Sequence, residues 1–240
     1  LGTNSNDKLT GTDNNEYILG RSGDDKLIGQ NGDYMLSGGA GDDNLYGDFG
    51  DDTLHGGSGS DYLQGDAGND TYLWGIGDGN DTINDYNRTD YRYYRDSHSD
   101  TLIFGKGLTA ENISWLRSSN DDLIASITTA DDAGVLVTEQ LKISKWFFSS
   151  KYQLEVLQLA DGTILDTADI EARAHTFKAA ESGGTMYGFD DRADTLQGNI
   201  GNDRLFGKSG NDNLYGGSGS DYLQGDAGDD TYHWGIGDGN

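Results

Sequence analysis

The sequence predicts a repeat-built, mainly all-β protein, and three observations carry that prediction. A nine-residue period runs through residues 2–73 without a slip. A longer unit is duplicated: Gly56–Asn80 matches Gly216–Asn240 at 23 of 25 positions, 160 residues further on. Between the two periodic arrays, short alternating apolar runs are separated by Asp, Asn and Gly turns. Self-similarity at a fixed short period marks a solenoid rather than a conventional single core.

The eight consecutive nonapeptides are GTNSNDKLT, GTDNNEYIL, GRSGDDKLI, GQNGDYMLS, GGAGDDNLY, GDFGDDTLH, GGSGSDYLQ and GDAGNDTYL. Position eight is apolar in every copy: Leu9, Ile18, Leu27, Leu36, Leu45, Leu54, Leu63 and Tyr72. Position six is Asp7, Glu16, Asp25, Tyr34, Asp43, Asp52, Asp61 and Asp70. After a two-residue insertion, IGDGNDTIN at 76–84 closes the array and adds Asp81. The second array opens with a degenerate copy at Ala180–Gly188 and continues through FDDRADTLQ, GNIGNDRLF, GKSGNDNLY, GGSGSDYLQ and GDAGDDTYH. Its sixth positions are Asp194, Asp203, Asp212, Asp221 and Asp230.

These phrases resemble the RTX (repeats-in-toxin, haemolysin-type) calcium-binding repeats, with consensus G-G-x-G-x-D-x-U-x. The resemblance implies right-handed parallel β-rolls in which two nonapeptides form one coil, each giving a turn of about six residues and a strand of about three. The residue chemistry gives a reason for such a fold. Glycines at positions one, two and four include Gly20, Gly23, Gly38, Gly39, Gly41, Gly47, Gly50, Gly56, Gly57, Gly59, Gly65 and Gly68 in the first array. In the second they include Gly198, Gly201, Gly207, Gly210, Gly216, Gly217 and Gly219. Lacking a Cβ, they let the turn enter left-handed conformations and point its carbonyls inward. Calcium takes six to eight oxygens, so such a turn with one terminal Asp is half a site, and the turn stacked on it is the other half.

Burying one Leu gives ~1.5 to 3 kcal/mol, whereas ordering each backbone residue costs ~1 to 2 kcal/mol. Carboxylates facing each other across about 4.8 Å repel by roughly 3 kcal/mol at an effective dielectric near 20. The thin apolar ladder is therefore expected to need metal, and metal binding to become folding free energy. Three ions are expected among Asp7, Asp25, Asp43 and Asp61, and one between Asp52 and Asp70. Two more are expected from Asp194, Asp212 and Asp230, and one from Asp203 and Asp221. This gives about seven Ca2+, with room for an eighth between Asp61 and Asp81. Tyr34 offers no carboxylate and Glu16 is a methylene too long, with Asp33 a partial substitute.

Composition narrows the partners. Forty-two acids against sixteen bases give a formal charge of −26 and pI near 4.1, which disfavours nucleic acid and anionic membrane. The chain has no Cys, hence no disulfide or thiolate zinc site, and no apolar run long enough for a membrane span. The four histidines are scattered, and no HExxH or GxSxG motif is present. The chain is read as a non-enzymatic piece of a longer repetitive protein.

Three parts are expected: a first roll at 1–83, an intervening β-rich domain at 84–181 and a second roll at 182–240. Within the middle part, strands are expected at 100–104, 113–117, 123–127, 135–143, 152–159 and 163–165, with a bulge near Val156. A helix is expected from Asp166 or Thr167 towards Phe177. DTLIFGKGLTAENI and KWFFSSKYQLEVLQLADGTIL resemble the haemolysin-type calcium-binding-related region. NDYNRTDYRYYRDSHS at 84–99 interleaves Arg and Tyr and reads as a surface connection, with a glycan or protein grip as its alternative.

The expected function is a calcium-dependent folding and spacer module of a large secreted, extracellular bacterial protein, exported through a type I apparatus as the resemblance implies. Adhesion through the intervening domain is the alternative, as is the calcium-loaded tail of a secreted protease, lipase or epimerase. In chelator the arrays should lose their far-UV strand signal and regain it with millimolar calcium. Magnesium, which sheds water reluctantly, should restore it poorly; an unchanged spectrum and melting temperature in EDTA would refute the metal requirement.

Overall fold

The computed structural model describes residues 1–85, 99–118, 120–130, 134–148, 152–174, 176–178, 183–190 and 192–234. The Tyr- and Arg-rich stretch at 86–98 lies outside them, as do His98, His175 and the start of the degenerate copy at 180–182. Two compact units are present: Leu1–Ser114 with Ala125–Ala168, and Trp115–Ile124 with Asp169–Asn240. Among the described residues no helix is long and apolar enough to cross a membrane.

In the first unit the nine-residue period places alternate copies in two parallel sheets. One sheet contains β1 (Lys8–Thr10), β3 (Lys26–Asn31), β5 (Asn44–Phe49), β7 (Tyr62–Ala67) and β9 (Asp81–Ile83). The other contains β2 (Tyr17–Ser22), β4 (Met35–Ala40), β6 (Thr53–Ser58) and β8 (Thr71–Trp74). Register follows the sequence phase: Leu9 pairs with Leu27, Leu45, Leu63 and Ile83 in succession. Across the core, Ile18, Leu36, Leu54 and Tyr72 do the same. Position eight is buried from Ile18 to Tyr72, while its neighbours at seven and nine face outward, as a period-two strand requires.

Strands β2 to β7 are six residues long, twice the length implied by the repeat consensus. The reason lies in the turn itself. Positions two and three also pair with the turn 18 residues away, as in Arg21↔Gly39 and Ser22↔Ala40, so the ladder continues through the glycine entry.

The stretch after residue 84 continues both sheets instead of building only its own. Strand β10 (Thr101–Phe104) pairs parallel with β8, putting Leu102 opposite Tyr72. Strand β14 (Val156–Gln158) adds Leu157 opposite Leu102. Strand β13 (Leu136–Ile143) adds Ile143 opposite Ile83, and β12 (Leu123–Ala130) lies beside it. Strand β15 (Ile164–Leu165) turns back antiparallel on β14. The expected strand at 152–159 shortens to β14, with Leu154, Leu157 and Leu159 buried. Val135 and Val137 share the phase of Leu141 and Ile143 but are exposed, because only the later part of β13 lies over the ladder.

The second unit repeats the principle with three-residue strands. Strands β16 (Thr176–Lys178), β18 (Thr195–Gln197), β20 (Asn213–Tyr215) and β22 (Thr231–His233) align Phe177, Leu196, Leu214 and Tyr232. Strands β17 (Thr185–Tyr187), β19 (Arg204–Phe206) and β21 (Tyr222–Gln224) align Met186, Leu205 and Leu223. Strand β11 (Ser114–Ser118) brings Arg117 opposite Phe177, and its guanidinium lies 5.4 Å from the Phe177 ring centre. The helix α1 (Thr167–Arg173) ends earlier than expected, since Phe177 is taken into β16 as a rung of the core.

Leu102 tests whether the ladder runs on past the first array. Leu102→Ala should cost about 2 to 5 kcal/mol, as for other buried Leu truncations, and raise the calcium needed to fold the first roll. A calcium titration matching wild type would place Leu102 outside the cooperative unit.

Candidate metal sites between stacked turns

A sixth-position Asp with a repeat turn before it reaches back along the roll. Its Oδ1 accepts the backbone N–H of position six in the preceding turn: Asp7 to Asp25 at 2.7 Å, Asp25 to Asp43 at 2.7 Å, Asp43 to Asp61 at 2.8 Å and Asp61 to Asp81 at 2.9 Å. On the opposite edge Tyr34 donates to Asp52 at 2.8 Å and Asp52 to Asp70 at 2.9 Å. The second unit repeats this from Asp194 to Asp212, Asp203 to Asp221 and Asp212 to Asp230. The gap between two turns is therefore served by the carboxylate of the later turn.

The other oxygen of these carboxylates is buried without a hydrogen bond: Oδ2 of Asp25, Asp43, Asp52, Asp61, Asp70, Asp203 and Asp212. A buried acceptor left so costs ~1 to 3 kcal/mol, more when charged. Main-chain oxygens crowd the same gaps. Between the turns ending in Asp25 and Asp43, a Cβ on Gly38 would collide with Asp43 Oδ2, one on Gly39 with Arg21 O, and one on Gly41 with Gly23 O. Such an oxygen-only lining suits a hard divalent cation, and calcium above all. Among the described residues no three His, Asp or Glu side chains form a metal cluster; the acids come one per turn, with carbonyls around them.

Two details of the turn differ from expectation. Position one needs glycine for close approach rather than for a left-handed backbone, as Gly38 shows against Asp43. Position two does adopt positive φ, yet it accepts Arg21 at 90°, Gln30 at 138° and Asp48 at 73°, while Gly41 at position four has 126°. In the second array the copy ending in Asp194 is one residue longer than the sequence frame gives. Gly188 takes position one against Asp194, and Met186 rather than Tyr187 enters the core.

Sequence reasoning missed two members of the acidic row. Asp100 precedes Thr101, which pairs with Thr71, so it falls in phase with Asp70 and accepts its N–H at 2.7 Å. Glu155 holds the next place and accepts the Asp100 N–H at 2.7 Å. The phrase DTLIF carried the signal, but the long connection before it hid the phase. An outer ladder was also missed. Position-five side chains reach forward, Asn6 Oδ1 accepting from Asp24 N at 2.9 Å, Asp24 Oδ1 from Asp42 N at 3.0 Å and Asp42 Oδ1 from Ser60 N at 2.8 Å.

Glu16 and Tyr34 break the inner row. Glu16 Oε2 accepts from Thr12 N within its own turn at 2.9 Å. Asp33 does not stand in for Tyr34, because its two oxygens accept from Asp51 N at 3.0 Å and Asn15 Nδ2 at 3.0 Å. Tyr34 itself is buried, its hydroxyl donating to Thr12 O.

Burial pushes the metal-free carboxyls upward, and the donated N–H groups only partly oppose it. Asp43 rises to about 6, Asp52 and Asp61 to about 7, and Asp70 and Asp81 to about 8. Burial also raises Asp203 and Asp212. A carboxyl whose folded pKa lies above its unfolded value near 3.9 binds more protons when folded, so stability falls as pH rises from about 4 to 8. In chelator, strand signal should therefore be greater at pH 5 than at pH 8. With calcium the half-saturating concentration should rise on acidification, as protons compete for the same oxygens; circular dichroism across the two titrations checks both signs.

Family models match the repeats and the segment between them. The family model of the RTX calcium-binding nonapeptide repeat matches four times, at 1–36, 37–72, 190–223 and 206–239. That of the haemolysin-type calcium binding protein related domain matches 122–169. Among solved structures, the chain is similar to the solution structure of the AlgE6R3 subunit from the Azotobacter vinelandii mannuronan C5-epimerase. Identity is 24% over 68% of this chain and 79% of that one, with a TM-score of 0.33. The comparison with curated proteins gave no match. With its nonapeptides in register and a position-six acid at most of the turns, the chain belongs to the family of RTX calcium-binding nonapeptide-repeat proteins.

Proposed function

We propose that this chain is a calcium-dependent folding and spacer module of a large secreted, extracellular protein. The observation that carries the reading is the row of buried carboxylate oxygens without donors, each in a gap lined by main-chain oxygens. Bound there, calcium would neutralise the facing acids and supply the partner those oxygens lack. The gaps served by Asp25, Asp43 and Asp61 form one edge of the first roll, with room for an eighth ion at Asp81, and the gap served by Asp70 lies on the other. In the second roll they are served by Asp212, Asp230 and Asp221.

The division into rolls at 1–83 and 182–240 around a segment at 84–181 is part of the same proposal. So is a load of about seven ions, which would lower the formal charge from −26 to −12. The protein's own residues do three things. Carboxylates of position six fix the spacing of adjacent turns through their Oδ1 bonds. Glycines at position one keep the gap open. The apolar rungs hold the two sheets together once repulsion is removed.

Native mass spectrometry at saturating calcium tests the reading by counting ions. Asp43→Ala should lose one ion and require several-fold more calcium for half-maximal strand signal. A wild-type chain that binds no calcium would overturn the function, and an Asp43→Ala chain with an undiminished ion count would overturn the assignment of the gaps.

A further inference from the structure

We propose that Tyr34 takes the place of a calcium ion between the turns 11–16 and 29–34, closing that coil with a phenol instead of a metal. The inference rests on the proposed calcium reading and deepens it at one gap. Tyr34 stands at position six, and its backbone is placed like that of an Asp there. Its N–H donates to Asp52 Oδ1 at 2.8 Å, as Asp25 N–H donates to Asp43 Oδ1 at 2.7 Å. Only the side chain differs.

The ring occupies what is oxygen lining elsewhere. A Cβ on Gly29 would meet Tyr34 Cδ2 at 2.9 Å, where the equivalent Cβ on Gly38 would meet Asp43 Oδ2. The far edge of the ring extends to the preceding turn, its Cζ standing 2.9 Å from a Cβ on Gly11. There the hydroxyl donates to Thr12 O. Thr12 is the position-two residue of its turn, as Arg21 is of the turn 20–25 on the opposite edge, where the Arg21 carbonyl crowds the gap against Gly39. The phenol thus gives a hydrogen bond to the oxygen that corresponds to a proposed ligand.

Nearby acids are directed elsewhere. Glu16 accepts from Thr12 N, Asp33 from Asp51 N and Asn15, and Asp13 from Asn31 Nδ2 at 2.8 Å. Burial, with Glu16, Asp13 and Asp52 nearby, pushes the Tyr34 phenol upward and keeps it a donor. Both coils still form, since Ile18 and Leu36 pair in register and are buried. One gap on this edge is then closed without charge and without metal.

Two variants test this. At saturating calcium, Tyr34→Asp should bind one ion more than wild type by native mass spectrometry, because it restores the carboxylate and removes the ring. Tyr34→Phe should bind the wild-type number but need more calcium for half-maximal strand signal, having lost the donor to Thr12 O. A folded Tyr34→Asp protein with the wild-type ion count would overturn the proposal while leaving the calcium reading intact. So would a Tyr34→Phe protein that gains an ion or titrates like wild type, and this second variant decides the matter if the first fails to fold. A wild-type chain that binds no calcium would remove both readings together.

Discussion

Adjacent turns in this protein face one another with oxygen on both sides and too few donors between them. Asp25, Asp43, Asp52, Asp61 and Asp70 each use one oxygen to hold the preceding turn by its N–H, and the second is left buried without a hydrogen bond. That spacing is set by the 18-residue register of the two sheets, which places every turn directly on its neighbour. Glycine at position one, the positive φ at positions two and four, and the acid at position six are all consequences of the same demand. The turn must expose main-chain oxygens at close approach and then compensate them.

The core is correspondingly slight: each nonapeptide contributes one apolar rung, to one sheet or the other in alternation. Such a ladder does not stop where the strict period stops. Tyr72, Leu102 and Leu157 continue it across the first unit, and Phe177, Leu196 and Leu214 rebuild it in the second. Aromatic residues replace Leu at some rungs, and Tyr72 then reaches beyond the core, its hydroxyl accepting from Gly65 N at 2.8 Å and donating to Asp85 at 2.8 Å.

Where the frame is unbroken, the sequence alone locates the rungs and the acids, because two positions in nine determine both. Leu27, Leu45 and Asp43 need no structure to be placed. Asp100 and Glu155 were not legible, since register passes through hydrogen bonds between strands and is indifferent to how many residues connect them. Gly188 and Met186 were misread by one place for a related reason, as a turn absorbs an extra residue while the strand keeps its phase. Phe177 fits either a helix end or a strand rung by composition, and only its pairing with Leu196 distinguishes them. Position five varies among Asn, Asp and Ser in the first array and carries no signal of its own, although its side chains form a second, outward row of bonds.

The outward row runs opposite to the inward one. Position-five side chains accept from the turn that follows, while position-six carboxylates accept from the turn that precedes. Every inner turn is thus held from above and below by side chains whose polarity along the roll is fixed, and each coil shows the same pattern to its neighbours. Removing a whole coil of 18 residues would bring together two faces that already match, whereas removing nine would set an edge against its opposite. The length of such a roll is therefore quantised in steps of about 4.8 Å, one strand spacing, and reach can be lengthened or shortened without redesigning a single contact.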